Sequence, residues 1–229
     1  MTDRYFLYIY KIQTKINQIQ RNMKYFNDDF KEKLYETIED IENHSLVETV
    51  AVIKSHTAKY RDVSLWFAFA FMTLLFTFFM FSPFEFNVYL IYFFSVLSFP
   101  FAYLFMELLP PLKRLFIRSS RLQRQSEIMA RAVFQKGGIR FTEEKIGVLF
   151  FVALFERSIY IIPDRGAETL VPQEDWDKMK PDFHSIFSAD NPADAFLTEL
   201  QKTKNIFAEN IPPFIDDINE LPDDLDVEF

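Results

Sequence analysis

Two long uncharged segments dominate the apolar pattern of the chain. Residues 65–84 and 86–106 contain no charged side chain, and Glu85 alone separates them. Each segment is long enough, at about 1.5 Å per residue, for a helix that crosses a hydrocarbon core of roughly 30 Å. The turn between them is so short that the two helices must be antiparallel neighbours. The pattern therefore predicts a transmembrane helical hairpin.

Shorter patterns on both sides of the hairpin predict an α/β fold. Residues 28–43 have apolar side chains at helical spacing, and Asn27 is placed to cap that helix. Residues 46–55 are rich in β-branched residues, which favours a buried strand. Downstream, the pattern predicts a basic helix over 115–136, a β-hairpin of strands 147–155 and 158–163 beside the first strand, and helices beginning at Pro172 and Pro192.

These elements divide the chain into five parts. The hairpin, residues 64–109, separates the two parts of one α/β domain, residues 27–63 and 110–210. A helical extension, residues 1–26, precedes the domain, and an acidic tail, residues 211–229, follows it.

Charges next to the hairpin predict its orientation. Residues 113–140 contain eight basic side chains and one acidic side chain, and positively charged flanks stay on the cytoplasmic side of a membrane. Both termini are therefore expected in the cytoplasm, with two spans in the membrane. The basic helix after the hairpin either binds anionic lipid headgroups or only determines the topology, and the sequence leaves both interpretations open.

The N-terminal extension raises the question of a homodimer. Apolar residues between positions 9 and 30 alternate spacings of three and four, which is the seam of a short coiled coil. A homodimer through this seam is one hypothesis. Met23 lies just before the first predicted helix and is an alternative start to Met1, in which case the extension is dispensable.

Composition excludes several classes of chemistry. The chain has no Cys, three His and four Gly residues, so thiol nucleophiles, Cys-ligated zinc and glycine-rich phosphate loops are absent. The net charge of −8 argues against nucleic acid as a partner.

Polar side chains near the predicted strand ends are the remaining candidates for a binding site. Ligands favour the carboxyl ends of strands in α/β sheets, although loop charges are more often simply solvated. The candidates are Arg61 and Asp62 before the hairpin, Arg140 and Thr142 after the basic helix, Glu156 and Arg157 between the second and third strands, and Asp164, Arg165 and Glu168 after the third strand.

The order of these segments resembles that of bacterial membrane proteins with a TPM domain. The resemblance covers roughly residues 26–222, and its most specific part surrounds Glu156-Arg157 and Asp164-Arg165-Gly166. Other matching segments are ETVAVIKS (48–55), PPLKRL (110–115), GGIR (137–140) and VPQEDWD (171–177). The fold that this resemblance implies is an α/β sandwich with a small mixed sheet, split by the inserted hairpin.

What the resemblance implies for function is divided. Some proteins with a TPM domain have a reported phosphatase activity, and others are membrane accessories without catalysis. In those proteins the domain generally faces away from the cytoplasm, whereas the basic flanks here imply the opposite. The cation-binding aspartate of the family would fall near residues 170–172, where this sequence has Val171 and Pro172.

Two hypotheses follow from the residues and the resemblance together. The first is a non-enzymatic interaction or assembly module at the inner face of the bacterial cytoplasmic membrane, with an unidentified membrane protein complex as its partner. The second is a weak phosphatase that depends on a divalent cation, calcium or magnesium, bound by Asp164 and Glu168. The first is favoured because the sequence contains no catalytic motif.

Overall fold

A small mixed sheet organises the larger of two structural units. The computed structural model describes residues 24–137 and 146–213, and the backbone of residues 227 and 228. Strands β1 (Glu48–Lys54) and β2 (Gly147–Ala153) are parallel, with Glu48 opposite Gly147, and β3 (Ser158–Pro163) is antiparallel to β2. The short strand β4 (Val227–Glu228) adds a parallel pairing to the other edge of β1. The α/β fold with a mixed sheet is thus confirmed.

Helices account for the rest of the described secondary structure. Their bounds are α1 Asp28–Glu42, α2 Arg61–Phe81, α3 Val88–Leu108, α4 Pro110–Leu115, α5 Ser119–Lys136, α6 Arg165–Leu170, α7 Gln173–Ser185 and α8 Pro192–Asn210, with a 3₁₀ turn at Ile186–Ser188. The predicted cap of α1 is confirmed, because Asn27 Oδ1 accepts the N–H of Phe30 at 3.0 Å. Pro192 begins α8 as predicted, whereas Pro172 is the N-cap residue of α7, which begins one residue later at Gln173.

The sheet is buried on both faces, which explains the unbroken apolar run of β2. All seven residues of β2 are buried. Phe150 and Val152 point into a core shared with α1, α7 and α8, whereas Leu149 and Phe151 belong to a second cluster that includes Ala130 of α5. Strands covered on both faces read as continuous hydrophobic runs because neither set of alternating side chains meets water. The larger unit, which we call the α/β unit, is therefore a three-layer sandwich.

A tyrosine links α5 to the outermost strand of this sandwich. The hydroxyl of Tyr160 in β3 donates a hydrogen bond to the carbonyl oxygen of Gln123 at 2.8 Å. Burial, together with the nearby carboxylate of Glu127, raises the pKa of Tyr160 above its ordinary value. The tyrosine therefore remains a neutral hydrogen-bond donor at physiological pH.

The second unit, residues 58–122, contains the two apolar helices α2 and α3, and we call it the hairpin unit. Small side chains make their close approach possible: Ser64 and Ala68 on α2, and Ser95, Ser98 and Ala102 on α3, are buried. Both helices are long and apolar enough to cross a membrane, yet only 11% and 17% of their most apolar stretches are buried. Exposure on this scale is the opposite of what a core helix of a soluble protein shows.

The helix bounds differ from the predicted uncharged segments. The first apolar helix begins at Arg61 and ends at Phe81, so its first turn carries charges. Ser82 leaves the helix in an extended conformation because the following Pro83 disfavours helical geometry in the residue before it. The second helix includes Glu107 near its end. The first helix therefore starts one turn before its uncharged segment and stops three residues before the end of that segment.

Two further predictions are corrected. The basic helix predicted over 115–136 begins only at Ser119, because Leu115 is the last residue of the separate short helix α4. The residues after β3 were expected to form a loop, but they form the short helix α6, which Asp164 caps. Both errors concern short segments, the three residues between α4 and α5 and the six residues of α6, which are too short for periodicity to detect.

The ion pair between α1 and α8 predicts a pH-dependent stability. Asp40 accepts hydrogen bonds from the ammonium of Lys204, at 2.9 Å to each carboxylate oxygen, and from the amide of Gln201 at 2.7 Å. Hydrogen bonds from Lys204 and then Gln201 hold the pKa of Asp40 below its usual range. Its stabilising contribution is therefore fully present above the ordinary aspartate pKa of about 3.9 and is lost as the pH falls through the lower folded-state value.

We expect Asp40→Asn to lower the unfolding free energy by up to about 1 kcal/mol at pH 7, since the pair is partly exposed, and to have no effect near pH 2. Urea unfolding of the full chain in detergent, followed by circular dichroism, measures the difference. Glu32→Gln is the matched control, because Glu32 is exposed on the same helix and forms no ion pair within the described part of the chain. A cost of Asp40→Asn that persists at pH 2 would contradict the assignment.

Candidate functional site

A buried glutamate fixes the carboxyl ends of the two parallel strands. Glu156 follows β2 and is only 2% exposed. Its Oε1 accepts the backbone N–H of Thr57 at 3.0 Å and the Thr57 hydroxyl at 2.7 Å, across 99 positions of sequence. Thr57 lies just past β1, so this carboxylate holds the chain where it leaves the sheet. The sequence pointed to Glu156 but not to its partner.

Arg157, next to Glu156, adopts a backbone conformation typical of tight turns. Arg157 has a φ of 53°, which places a residue other than glycine in the left-handed region between β2 and β3. His56, near Thr57, stacks on Phe155 with ring centroids 5.0 Å apart. The predicted pair Glu156-Arg157 therefore forms the second half of the β-hairpin connection, which has four residues, 154–157, because β2 ends at Ala153.

Asp164 and Glu168, the predicted cation ligands, lie one helical turn apart on α6. Oδ1 of Asp164 caps the helix by accepting the N–H of Arg165 at 2.6 Å, and the carbonyl oxygen of Asp164 accepts the N–H of Glu168 at 2.8 Å. Asp164 is buried, and its Oδ2 has no hydrogen-bond partner among the described residues. Glu168 and Arg165 are exposed.

The cation site remains a prediction. Within residues 24–137 and 146–213, no three His, Cys, Asp or Glu side chains form a group suited to a metal ion. Oδ2 of Asp164 is the atom in this region that is available to a cation. A buried carboxylate oxygen without a hydrogen-bond donor is energetically costly, and a bound cation would remove that cost. Arg140 and Thr142, two further candidates, lie outside the described residues.

Asp62, a candidate at the start of α2, forms a bidentate ion pair. Nη1 and Nη2 of Arg121 donate to the two oxygens of Asp62 at 2.6 and 2.9 Å. The guanidinium also lies 5.5 Å from the centroid of the Tyr60 ring, which is the geometry of a cation–π contact. The Asp62 carboxylate raises the pKa of Arg121. Arg61, next to Asp62, is exposed.

A second polar cluster in this unit was not predicted. Oε1 of Glu107 accepts hydrogen bonds from the Ser64 hydroxyl and from the Lys113 ammonium, both at 2.8 Å. The Lys113 side chain is only 9% exposed, so its charge requires a compensating partner. The cluster joins the beginning of α2, the end of α3 and the short helix α4. Glu107 directly after an uncharged segment, with Lys113 six positions later, was the available signal.

Comparisons with known proteins agree with the fold. Residues 115–205 match the family model of the TPM domain, a segment from the end of α4 into α8 that does not include the apolar helices. The solved NMR structure of the BA42 protein from the psychrophilic bacterium Bizionia argentinensis matches with a TM-score of 0.53 and 16% identity, covering 88% of this chain and 94% of that chain. At this identity the likeness concerns the fold alone. No curated protein matches the chain.

The Glu107 cluster predicts a specific defect in the hairpin unit. Glu107→Ala leaves the largely buried Lys113 ammonium without its carboxylate, so we expect a loss of about 1–3 kcal/mol in unfolding free energy. Glu107→Ala combined with Lys113→Met is expected to recover part of this loss, because no uncompensated charge remains. Unfolding of the full chain by denaturing detergent in mixed micelles measures both changes.

The matched control for this test is Glu85→Ala at the turn between α2 and α3. Glu85 is exposed and forms no ion pair in the described part of the chain. Equal costs for Glu107→Ala and Glu85→Ala would contradict the role of the cluster.

Proposed function

We propose that this chain, similar to the TPM domain over residues 115–205, is a membrane-anchored interaction or assembly module. In this proposal α2 and α3 insert as a hairpin into the bacterial cytoplasmic membrane. The α/β unit then lies in the cytoplasm, where it binds a protein component of a membrane complex. Catalysis plays no part in this role.

The observation that carries the proposal is the exposure of the apolar helices. Most of the large apolar side chains that are exposed in the described chain lie between Leu65 and Leu108, and Phe81 is 85% exposed. Soluble monomers rarely expose contiguous apolar patches beyond a few hundred Å². Helices of 21 residues extend about 31 Å, which matches the hydrocarbon thickness of a bilayer. A bilayer therefore supplies the environment that these side chains lack in water.

The predicted orientation is supported by the charges that flank the hairpin. Lys59 precedes α2 and Arg61 is its first residue, whereas Arg114 and Arg118 follow α3. Glu85 is the charged residue of the connecting turn. The positive-inside rule therefore places both ends of the hairpin in the cytoplasm and the turn on the other side.

The contacts of the polar candidates favour a non-enzymatic role. Glu156 holds Thr57, and Asp62 holds Arg121, so both carboxylates act within the fold. Groups already satisfied by structural partners are poorly placed to exchange protons with a substrate. The homodimer through residues 9–30 stays a prediction, since most of that seam lies outside the described residues.

Anchoring and orientation can be tested on the full chain. Because the protein has no Cys, the variants Glu85→Cys and Ser188→Cys each carry a single thiol. Ser188 is exposed in the α/β unit. We expect the chain to stay in the membrane fraction after alkaline carbonate extraction. A membrane-impermeant thiol reagent should label Glu85→Cys in intact spheroplasts and Ser188→Cys only after permeabilisation.

The opposite results have distinct meanings. Release of the chain by carbonate would overturn the anchor, and labelling of Ser188→Cys in intact spheroplasts would reverse the orientation. The interaction role is tested by gentle detergent extraction from native membranes, followed by size separation. A chain that migrates there at its own mass, even after mild cross-linking, would refute an assembly role while leaving the anchor intact.

One observation supports the second function, a phosphatase dependent on a divalent cation. Asp164 Oδ2 is buried without a hydrogen-bond partner among the described residues, and Glu168 is one turn away. On this alternative, the purified full chain in neutral detergent binds Ca²⁺, Mg²⁺ or Mn²⁺ in calorimetric titration and releases phosphate from a model ester. Asp164→Asn abolishes both, whereas Asp182→Asn, an exposed carboxylate on α7, changes neither. Absence of binding to the wild-type chain would remove the alternative.

A further inference from the structure

Five of the six basic residues of the hairpin unit fall into two groups. Lys113 and Arg121 are compensated within the unit, by Glu107 and Asp62 respectively. Lys59, Arg61 and Arg118, which we call the cationic collar, are exposed, and none of them forms an ion pair within the described part of the chain. The collar residues therefore present their charges to the surroundings of the unit.

Backbone and side-chain contacts bring the collar residues together. The N–H of Arg121 donates to the carbonyl oxygen of Arg118 at 3.0 Å, which places Arg118 at the start of α5. The guanidinium of Arg121 binds Asp62, the neighbour of Arg61, and contacts the ring of Tyr60, the neighbour of Lys59. The internal ion pair thus holds the sequence neighbours of Lys59 and Arg61 against the helix turn that follows Arg118.

Exposed apolar side chains lie beside this patch. Phe116, two residues before Arg118, is 56% exposed and packs edge-on against Phe67 of α2, with ring centroids 5.6 Å apart. Trp66, 71% exposed, is in the same turn of α2 as Phe67. Trp66 and Phe67 lie about 7–9 Å along the helix from Arg61, at about 1.5 Å per residue. Aromatic rings next to cations at the end of an apolar helix are typical of the bilayer interface.

We propose that the cationic collar binds the phosphate groups of anionic phospholipids while Trp66 and Phe116 insert among the adjoining acyl chains. The inference rests on the proposed membrane anchor and adds a ligand class to it. Arginine favours phosphate because its planar donors match two phosphate oxygens. The neighbouring exposed rings favour a lipid over an acidic protein segment, because they require an apolar surface next to the anion.

The charges of the collar do more in this proposal than determine topology. Topology is established during insertion and needs only a local excess of positive charge. Lipid selectivity, by contrast, persists in the purified and reconstituted chain. Each cation near an anionic surface is expected to favour binding by about fivefold. A reconstituted system therefore distinguishes the two interpretations.

The experiment measures lipid selectivity in proteoliposomes of phosphatidylcholine that contain the full chain. Spin-labelled phosphatidylglycerol and spin-labelled phosphatidylcholine report their relative association with the protein by electron paramagnetic resonance. We expect the wild-type chain to prefer phosphatidylglycerol at least about fivefold, with the preference falling as salt is raised. The triple variant Lys59→Gln/Arg61→Gln/Arg118→Gln should reduce the ratio to about one. The charge-conserving variant Arg61→Lys/Arg118→Lys should retain most of the preference for phosphatidylglycerol.

The matched control removes the same charge elsewhere. Lys178→Gln/Lys180→Gln/Lys202→Gln changes exposed lysines of α7 and α8 by the same net charge and should leave the ratio unchanged. Equal loss in this control, or an unchanged ratio in the collar variant, would overturn the inference. A wild-type chain without a preference for phosphatidylglycerol would also overturn the inference. Binding of the collar to an acidic peptide in place of the lipid would overturn it too, and would identify a protein ligand.

Failure of the inference is separable from failure of the anchor. Carbonate extraction of the collar variant reports anchoring, and circular dichroism reports its folding. A chain that stays in the membrane without lipid selectivity contradicts only the lipid proposal. A wild-type chain that carbonate releases contradicts the proposed function itself.

Discussion

The parallel pairing of β1 with β2 is the constraint on which the rest of the architecture depends. Seven residue pairs, from Glu48–Gly147 to Lys54–Ala153, join two strands that are separated by more than ninety residues of chain. Parallel neighbours cannot be connected by a tight turn, so a crossover connection is required. In this chain the crossover contains both apolar helices as well as α5, whose Ala130 covers one face of the sheet. The pairing thus allows an apolar insertion without interrupting the core.

The same constraint explains why the carboxyl ends of β1 and β2 are rigid. The buried carboxylate of Glu156 satisfies both the amide and the hydroxyl of Thr57, at the last residues of the α/β unit before the apolar insertion. Buried hydrogen bonds of this kind are costly to lose, because each unmet group retains its full desolvation penalty. A position where α/β proteins often hold ligands serves here to anchor the chain.

Compensation of charge separates structure from function in the hairpin unit. Glu107 and Asp62 form ion pairs with two cations of the short helix α4 and of α5, Lys113 and Arg121. A charge that packing removes from water at the edge of an apolar helix pair requires such a partner. A cation without an ion pair avoids this desolvation free energy only where water or a lipid headgroup solvates it. The exposed collar is therefore the part of this unit that is available to an external anion.

The sequence by itself determined the features that depend on neighbouring residues. The uncharged segments predicted α2 and α3, Asn27 predicted the start of α1, and the short connection at Glu156-Arg157 predicted the β-hairpin, since each signal lies within a few positions of its effect. The ends of α2 and α3 differ from the ends of the uncharged segments by two to four residues, because charge and hydrogen bonding do not stop at the same residue.

Only the tertiary structure decided which charged groups are compensated and which remain exposed. Glu156 meets Thr57 across 99 positions, Asp62 meets Arg121 across 59, and Ser64 meets Glu107 across 43. No periodicity or local motif encodes such partners, because the chain must first fold to bring them within hydrogen-bond distance. The sequence contains every cation of the hairpin unit, but packing alone distinguishes the buried Lys113 from the exposed Arg118.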